Sequence, residues 1–469
     1  MLIEEFEYCL CYRTGGGSSV NQTIAHYRNQ LRKKEISPKE LTEHFFKEIS
    51  KKEDKVHAWV RLVADQALAQ AEELENDRSS DAPPPLYGIP FGAKDIFYTK
   101  NVATEAGSKV LKDFIPDEDA TIIKRLKSSG AILLGKTTMT EFATLSHPPE
   151  TRNPWNLNHT PGGSSSGSAA ALASGMALFT LGTQTRGSLL RPAAYNGLTC
   201  LKGTFGRVSK KGVVPCSWTL DHVGAMTHTV EDTVIVYNVI SGKDDQDLST
   251  YYLPSLHLTL REKRDYKIGI LTGQVFRNTS PDVQSAMQEA IRGLKTIGYK
   301  CKEVQLPGCL DEDYQAHDLI EQAEFGAFHA KYYSKSYNAY DAYLQHFIRD
   351  SFKITAKDYL NAQNKRIRFR EELIQLFKRS DVDVLISPTT PTTAPKGTES
   401  TGSPAYNMPF TNAGVPALTI PIGYSKETHL PIGMQIVSPT FEEQRVIDIG
   451  YMYQHITDWH ERSPELAID

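Results

Sequence analysis

The first chemistry the sequence offers lies in two serines within one glycine-rich stretch. Residues 160–193 open with Thr-Pro-Gly-Gly-Ser-Ser-Ser-Gly-Ser, continue through an Ala-rich run, and close with Gly-Thr-Gln-Thr-Arg-Gly-Ser-Leu-Leu-Arg-Pro-Ala. Ser164 follows Gly163 and Ser188 follows Gly187. Glycine tolerates positive φ and lets a ligand come close to the amide groups, as a site built partly from main-chain donors requires. A flexible linker would stay polar and aperiodic. Residues 168–182 instead hold Ser, Ala, Leu, Met and Phe, the makings of a packed helix and strand, so the serines sit on scaffold.

A serine hydroxyl is a weak nucleophile until a neighbouring group takes its proton. Histidine is the usual base, but the fourteen histidines show no pairing with either serine, and His222 in Asp221-His-Val-Gly reads as structural. The alternative base is a lysine kept neutral by burial, since desolvation disfavours the ammonium form. Lys94, in the apolar setting Pro-Phe-Gly-Ala, is the candidate; a purely structural Lys94–Asp95 turn fits the same residues.

Two motif matches are set aside. Gly130-Ala-Ile-Leu-Leu-Gly-Lys-Thr137 satisfies the phosphate-loop pattern literally, but such a loop presents free N–H groups after its strand, whereas Ala131–Leu134 is itself the apolar strand. Gly163-Ser-Ser-Ser-Gly167 fits a nucleophile elbow, yet no strand precedes it and no HGGG-type partner exists elsewhere in the chain.

The elements that must position these residues are legible in outline. The chain has 469 residues, 40% of them hydrophobic, and a net charge of −4 with both signs interspersed, so it can bury a large core and is no electrostatic binder of nucleic acid. Residues 1–20, ending Thr-Gly-Gly-Gly-Ser-Ser, read as a loose N-terminal extension, and 21–469 as the globular part. Ser37-Pro-Lys-Glu40 reads as an N-cap, a Pro at N1 and the closing Glu of a capping box, so two helices open the fold. A polar helix follows over 63–76. Asp81-Ala-Pro-Pro-Pro85 breaks regular structure, and a short strand then leads to Lys94. A helix spans 119–129. Strands at Tyr266–Leu271 and Lys300–Leu306, flanking a helix with Val283, Met287, Ile291 and Leu294 on one face, make a βαβ crossover. Residues 319–378 are mainly helical, and Tyr332, Tyr333, Tyr337, Tyr340, Tyr343 and Phe347 there fit either ordinary helix packing or a substrate entrance. A strand at Val382–Ser387 precedes a Pro/Thr-rich loop.

Six cysteines (Cys9, Cys11, Cys200, Cys216, Cys301, Cys309) show neither a dense disulfide framework nor Cys-x-x-Cys spacing, which suits a reducing compartment. The N-terminus carries Glu4, Glu5 and Glu7 rather than a secretory pattern, and the most apolar stretch is short for a membrane span. The expectation is a cytoplasmic protein, bound to neither membrane nor nucleic acid, as monomer or homodimer.

Taken together, several segments resemble the amidase signature family of serine hydrolases, from about Thr23 to Tyr453. They are Tyr87-Gly-Ile-Pro-Phe-Gly-Ala-Lys-Asp95, Gly135-Lys-Thr-Thr-Met-Thr-Glu-Phe142, Thr160-Pro-Gly-Gly-Ser164, Gly182-Thr-Gln-Thr-Arg-Gly-Ser188, Leu220-Asp-His-Val-Gly-Ala-Met226, Gly414-Val-Pro-Ala417 and Leu430-Pro-Ile-Gly-Met-Gln435. The resemblance implies a single large α/β/α layered domain around a mixed, mostly parallel sheet. It implies a triad of Lys94, Ser164 and Ser188, with Ser164 after a cis peptide bond and the nucleophile Ser188 24 residues downstream. The backbone N–H groups of Thr185, Arg186, Gly187 and Ser188 would face the oxyanion. No metal or cofactor is implied.

Two departures bear on substrate rather than catalysis. The family's common Gly-Thr-Asp-Thr-Gly-Gly-Ser is here Gly-Thr-Gln184-Thr-Arg186-Gly-Ser, and its usual Asn after Gly-Lys-Thr is Thr138. They weaken assignment to a transamidation subunit working on charged tRNA. The reading is an amidase of small or aryl amides, extending to carbamates (urethanes) and esters, with a glutamine-hydrolysing subunit of an amidotransferase complex as the alternative. The Arg186 side chain either narrows the pocket and selects acyl or carbamoyl groups, or points away to a scaffold carboxylate.

Overall fold

A computed structural model describes residues 23–76, 83–250, 256–262 and 264–466. Residues 1–20, Cys9, Cys11 and Asp81 lie outside them. Strands β1 (Trp59–Leu62), β2 (Pro90–Lys94), β3 (Ile132–Thr137), β4 (Phe179–Gln184), β5 (Thr199–Lys202), β6 (His222–Thr227), β7 (Lys267–Thr272), β8 (Lys300–Gln305), β9 (Val384–Pro388), β10 (Ala417–Tyr424) and β11 (Pro431–Val437) form one sheet. Its order is β1-β3-β2-β4-β6-β5-β10-β11-β9-β7-β8. The helices are α1 (Ile24–Lys33), α2 (Pro38–Val56), α3 (Ala64–Asn76), α4 (Thr121–Ser128), α5 (Ser166–Ala173), α6 (Leu190–Tyr195), α7 (Val230–Ile240), α8 (Pro281–Ile297), α9 (Leu310–Ser336), α10 (Ala342–Ser351), α11 (Ala356–Arg379), α12 (Met408–Asn412) and α13 (Glu443–Ile456).

The sheet is covered on both faces, and its sequence says why. Neighbouring strand residues alternate between two separate apolar clusters: Leu201, Ala225, Ile386, Leu418 and Ile436 join one, while Cys200, Met226, Leu385, Ala417 and Val437 join the other. Successive side chains of a strand point to opposite faces, so strands apolar throughout need helices on both sides. The first cluster takes in residues of α7, α8 and α13; the second takes in residues of α6, α11 and α12. This is a single α/β domain in three layers.

One expectation is corrected. The sheet is mixed but not mostly parallel: β2 pairs in parallel with β3 and β4, and β7 with β8 and β9, whereas the other six neighbouring pairs are antiparallel. The middle of the sheet is the reason. β10 returns directly as β11 through 425–430, a turn too short for a crossover helix, and β6 inserts antiparallel between β4 and β5. The βαβ unit is as expected, with β7 and β8 in parallel and α8 between them. The capping box that opens α2 is formed: Ser37 Oγ accepts from Glu40 N at 3.2 Å, and Glu40 Oε2 accepts from Ser37 N at 2.8 Å. Such a cap is worth about 1 kcal/mol.

Candidate active site

Strand β2 is buried at all five positions and ends in Lys94, whose side chain has no exposure. Because β4 lies beside β2 in register Ala93–Leu181, the Lys94 amine reaches Thr183, donating to its Oγ1 at 2.8 Å. Its second donation, also 2.8 Å, goes to Ser164 Oγ. Burial dominates the Lys94 titration and lowers it to about 7, against the opposing pull of Cys216 and Asp221. Neutral amine is therefore abundant from neutral pH upward.

Ser164 follows a cis peptide bond from Gly163 and lies two residues before α5. The loop that carries it is held by a residue whose role the sequence alone does not disclose. Arg191 of α6 is buried, and its Nε and Nη2 donate to Gly163 O at 3.2 and 2.6 Å. Its Nη1 donates to Gly402 O at 2.7 Å. Planar, forked donors suit such clasps better than an ammonium. The available signal was a lone arginine within Leu-Leu-Arg-Pro-Ala-Ala, a charge in a run otherwise fit for the core.

Ser188 sits between β4 and α6, 5% exposed. Gln184 builds this turn: its Oε1 accepts from Leu189 N and Leu190 N, both at 2.9 Å, while its Nε2 donates to Thr411 Oγ1 at 2.8 Å. Thr411 Oγ1 in turn lies 2.8 Å from Arg186 O. The carboxamide thus accepts at the N-terminal end of α6 and donates toward α12, two tasks that a carboxylate would not combine. Thr185 Oγ1 donates to Asp221 Oδ1 at 2.6 Å, and Asp221 Oδ2 accepts from Cys216 N and Ser217 N at 2.9 and 3.0 Å. At Gly187 an added Cβ would stand 2.6 Å from Asn407 Oδ1, so the turn packs too closely for a side chain. Among the described residues the N–H groups of Arg186, Gly187 and Ser188 donate to no protein acceptor.

The Arg186 side chain takes the scaffold alternative. It points to α9, with Nε 2.5 Å from Glu321 Oε2 and Nη1 2.6 Å from Asp318 Oδ1. Those carboxylates hold the guanidinium protonated above its ordinary range despite its burial. Thr138, the other departure, hydrogen-bonds Thr151 Oγ1 at 2.6 Å. His222 is structural as expected: its Nδ1 lies 2.7 Å from Leu220 O, and burial drives it well below the histidine range.

Lys136 of the rejected phosphate loop is buried within β3, 3.1 Å from Asp95 Oδ1. In the tyrosine-rich segment, packing accounts for most rings: Tyr333 meets Tyr337 edge-on, Tyr343 stacks on Phe347, and Tyr340 lies against Phe142 and His329. Tyr340 also lines a cleft of about 520 Å³ with Asp95, Thr138 and Met139. That cleft adjoins the serine loop, since Thr140 N donates to Ser164 O at 3.3 Å.

Fold and site together define an α/β protein whose lysine and serine are brought into contact at the C-terminal ends of adjacent parallel strands. The family model described as Amidase matches residues 40–447. The chain belongs to this amidase signature family, whose members are hydrolases acting on amides. It is 36% identical to a glutamyl-tRNA(Gln) amidotransferase subunit from Roseiflexus sp. (strain RS-1), over 95% of this chain and 99% of the relative. Among solved structures, peptide amidase from Stenotrophomonas maltophilia matches with TM-score 0.84 and 27% identity, over 96% of this chain and 99% of that one. A 6-aminohexanoate cyclic dimer hydrolase shares the fold, with TM-score 0.86 at 23% identity, over 94% of this chain and 98% of that one. No helix among the described residues is long and apolar enough to cross a membrane.

Proposed function

We propose that this chain is an amidohydrolase that cleaves small or aryl amide C–N bonds, and carbamates and esters by the same route, through an acyl-enzyme on Ser188. The observation that carries the reading is the Lys94 amine, fully buried, titrating near 7 and 2.8 Å from Ser164 Oγ. Neutral Lys94 accepts the Ser164 proton as Ser164 accepts that of Ser188, whose Oγ attacks the carbonyl carbon. The relay requires Ser188 to hydrogen-bond Ser164, beyond the Thr183–Lys94–Ser164 contacts. The oxyanion takes donors from Thr185, Arg186, Gly187 and Ser188, each well-placed N–H being worth roughly 3 kcal/mol. As the tetrahedral adduct collapses, Ser164 passes its proton to the leaving amine and Lys94 returns one to Ser164. Water then repeats the cycle on the acyl-enzyme and releases the acid. This reading assigns the substrate's approach to the cleft beside Met139 and Tyr340, which adjoins the serine loop through Thr140.

A second reading has its own support, because the 36% relative is an amidotransferase subunit that the chain matches over nearly its whole length. In that reading the same serine hydrolyses glutamine and hands ammonia to a partner. A cytoplasmic location and a monomer or homodimer suit the first reading, and the free Cys200, Cys216, Cys301 and Cys309 suit a reducing compartment.

Purified chain alone is assayed on a panel of nitroanilides, aryl carbamates and nitrophenyl esters, with glutamine alongside. Turnover of the aryl amides without any partner supports the amidase. Glutaminase activity alone, or activity only with an added partner, replaces it with the second reading. Labelling by a sulfonyl fluoride identifies the nucleophile: modification at Ser165 or Ser166, with Ser188→Ala still active, overturns the assignment.

A further inference from the structure

A second cavity, of about 340 Å³, lies between α11 and the loops near Phe205 and Thr219, and neither Lys94, Ser164 nor Ser188 lines it. Its charges are one-sided. Arg366 and Arg370, one turn apart on α11, both face it, and no carboxylate is among its lining residues. The remaining walls are apolar or neutral, from Phe205, Ile367, Tyr359 and Gln363.

Glu324, the carboxylate that acts most strongly on Arg366, is already engaged. Glu324 accepts from Thr219 N at 3.0 Å, Thr219 Oγ1 at 2.7 Å, Tyr359 Oη at 2.6 Å and the Ser217 hydroxyl. Arg366 spends only part of its donor set, Nε on Asn412 O at 2.7 Å and Nη2 on Thr219 O at 2.8 Å. Arg370 has no acidic partner among the described residues. A third cation is close by: Lys210 Nζ stands 4.1 Å from the Phe205 ring centroid and donates to Trp218 O. Burial, and behind it the Arg370 charge, lower Arg366 to about 10 against the pull of Glu324 and Asp313, so it stays protonated at neutral pH. Two like charges one turn apart, with no carboxylate lining the cavity they face, favour an anion there. Cavities of this size admit a small organic molecule.

We propose that this cavity binds a small aromatic carboxylate outside the reaction centre, its carboxylate forked by Arg366 and Arg370 and its ring lying against Phe205 and Ile367. Guanidinium planes match a carboxylate bidentately, and the apolar walls reward a ring over a bare inorganic ion. The site also touches the nucleophile turn at one remove. Arg366 holds Asn412 O, and the adjacent Thr411 hydroxyl supports Arg186 O.

The test is calorimetric titration of sodium benzoate into the full chain at constant ionic strength, repeated with inorganic phosphate. Saturable benzoate binding, weakened about tenfold or more in Arg370→Gln and retained after Ser188 has been sulfonylated, is the expected result. A thermal melt checks that Arg370→Gln folds. Benzoate binding that Arg370→Gln leaves unchanged overturns the proposal, as does binding abolished by sulfonylation, which would put benzoate in the reaction centre. Phosphate binding as tightly as benzoate overturns the aromatic assignment.

Discussion

If Lys94 is the base, the rate must follow its protonation, and the structure sets where. Burial brings the amine from the ordinary lysine value of 10.5 to about 7. At roughly 1.4 kcal/mol per pKa unit, that amounts to about 5 kcal/mol against the charged form. With a midpoint near 7, about a tenth of the enzyme carries neutral Lys94 at pH 6 and about nine-tenths at pH 8. A lysine left in water would be neutral in only about three molecules in ten thousand at pH 7. The expected profile of kcat/KM from pH 5 to 9 is therefore an acid limb of unit slope that levels above about pH 8. His222 does not explain such a limb, since burial places its titration well below the histidine range. The assay is initial-rate hydrolysis of a soluble nitroanilide by wild type and Lys94→Ala, with circular dichroism to confirm the fold. Lys94→Ala should lose most of the rate, and whatever rate remains should lack the limb. A variant that keeps near-native turnover, or one whose slow rate retains the same limb, would refute the relay.

The same burial makes a stability prediction: because the folded-state pKa lies below the unfolded one, wild type gains stability as pH rises from 7 toward 10, and the Tm of Lys94→Met relative to wild type should fall over that range. A constant Tm gap refutes it. Arg186→Met strands a buried Glu321 and should cost about 3–5 kcal/mol in urea unfolding, with Arg186→Met/Glu321→Gln recovering part of the loss. Since the side chain points to α9, relative kcat/KM across a panel of amides and carbamates should stay unchanged in that double variant; reordering of the panel would return the selective role to Arg186. Gln184→Leu removes the acceptor for two N–H groups beside Ser188 and should lower kcat more than it raises KM, whereas Gln184→Glu, which keeps the acceptor, should fall less.

Local signals reported local structure well. Ser37, Pro38 and Glu40 announced α2 because capping chemistry acts over three residues, and Gly298 closes α8 in the left-handed conformation for a similarly local reason. Ser164 and Ser188 stood out by their flanking glycines and Lys94 as a polar residue in an apolar run, but only the family resemblance joined the three as a triad. Lys94 and Ser164 do meet, although 70 positions separate them. Strand direction was not legible: nothing in the apolar run of β6 tells whether it enters the sheet parallel or antiparallel. The supports of the serine turn were equally hidden. Thr411 and Glu321 are ordinary residues of ordinary helices, and only the packed fold makes them partners of Gln184 and Arg186.

Those supports also say when the serine turn can be completed as the chain is made. Arg186 waits for Glu321, 135 residues downstream; Arg191 waits for Gly402, 211 downstream; Gln184 waits for Thr411, 227 downstream. Contacts of such range form late, after loop closure has been met, and a nascent chain emerging from its N-terminus cannot supply them. A ribosome-bound or truncated chain ending just before residue 400 therefore carries all three candidate catalytic residues and Glu321, yet lacks Gly402 and Thr411 and so the supports of Arg191 and Gln184. If Ser188 is the nucleophile, its labelling during synthesis should begin only once the last strands and α12 have docked.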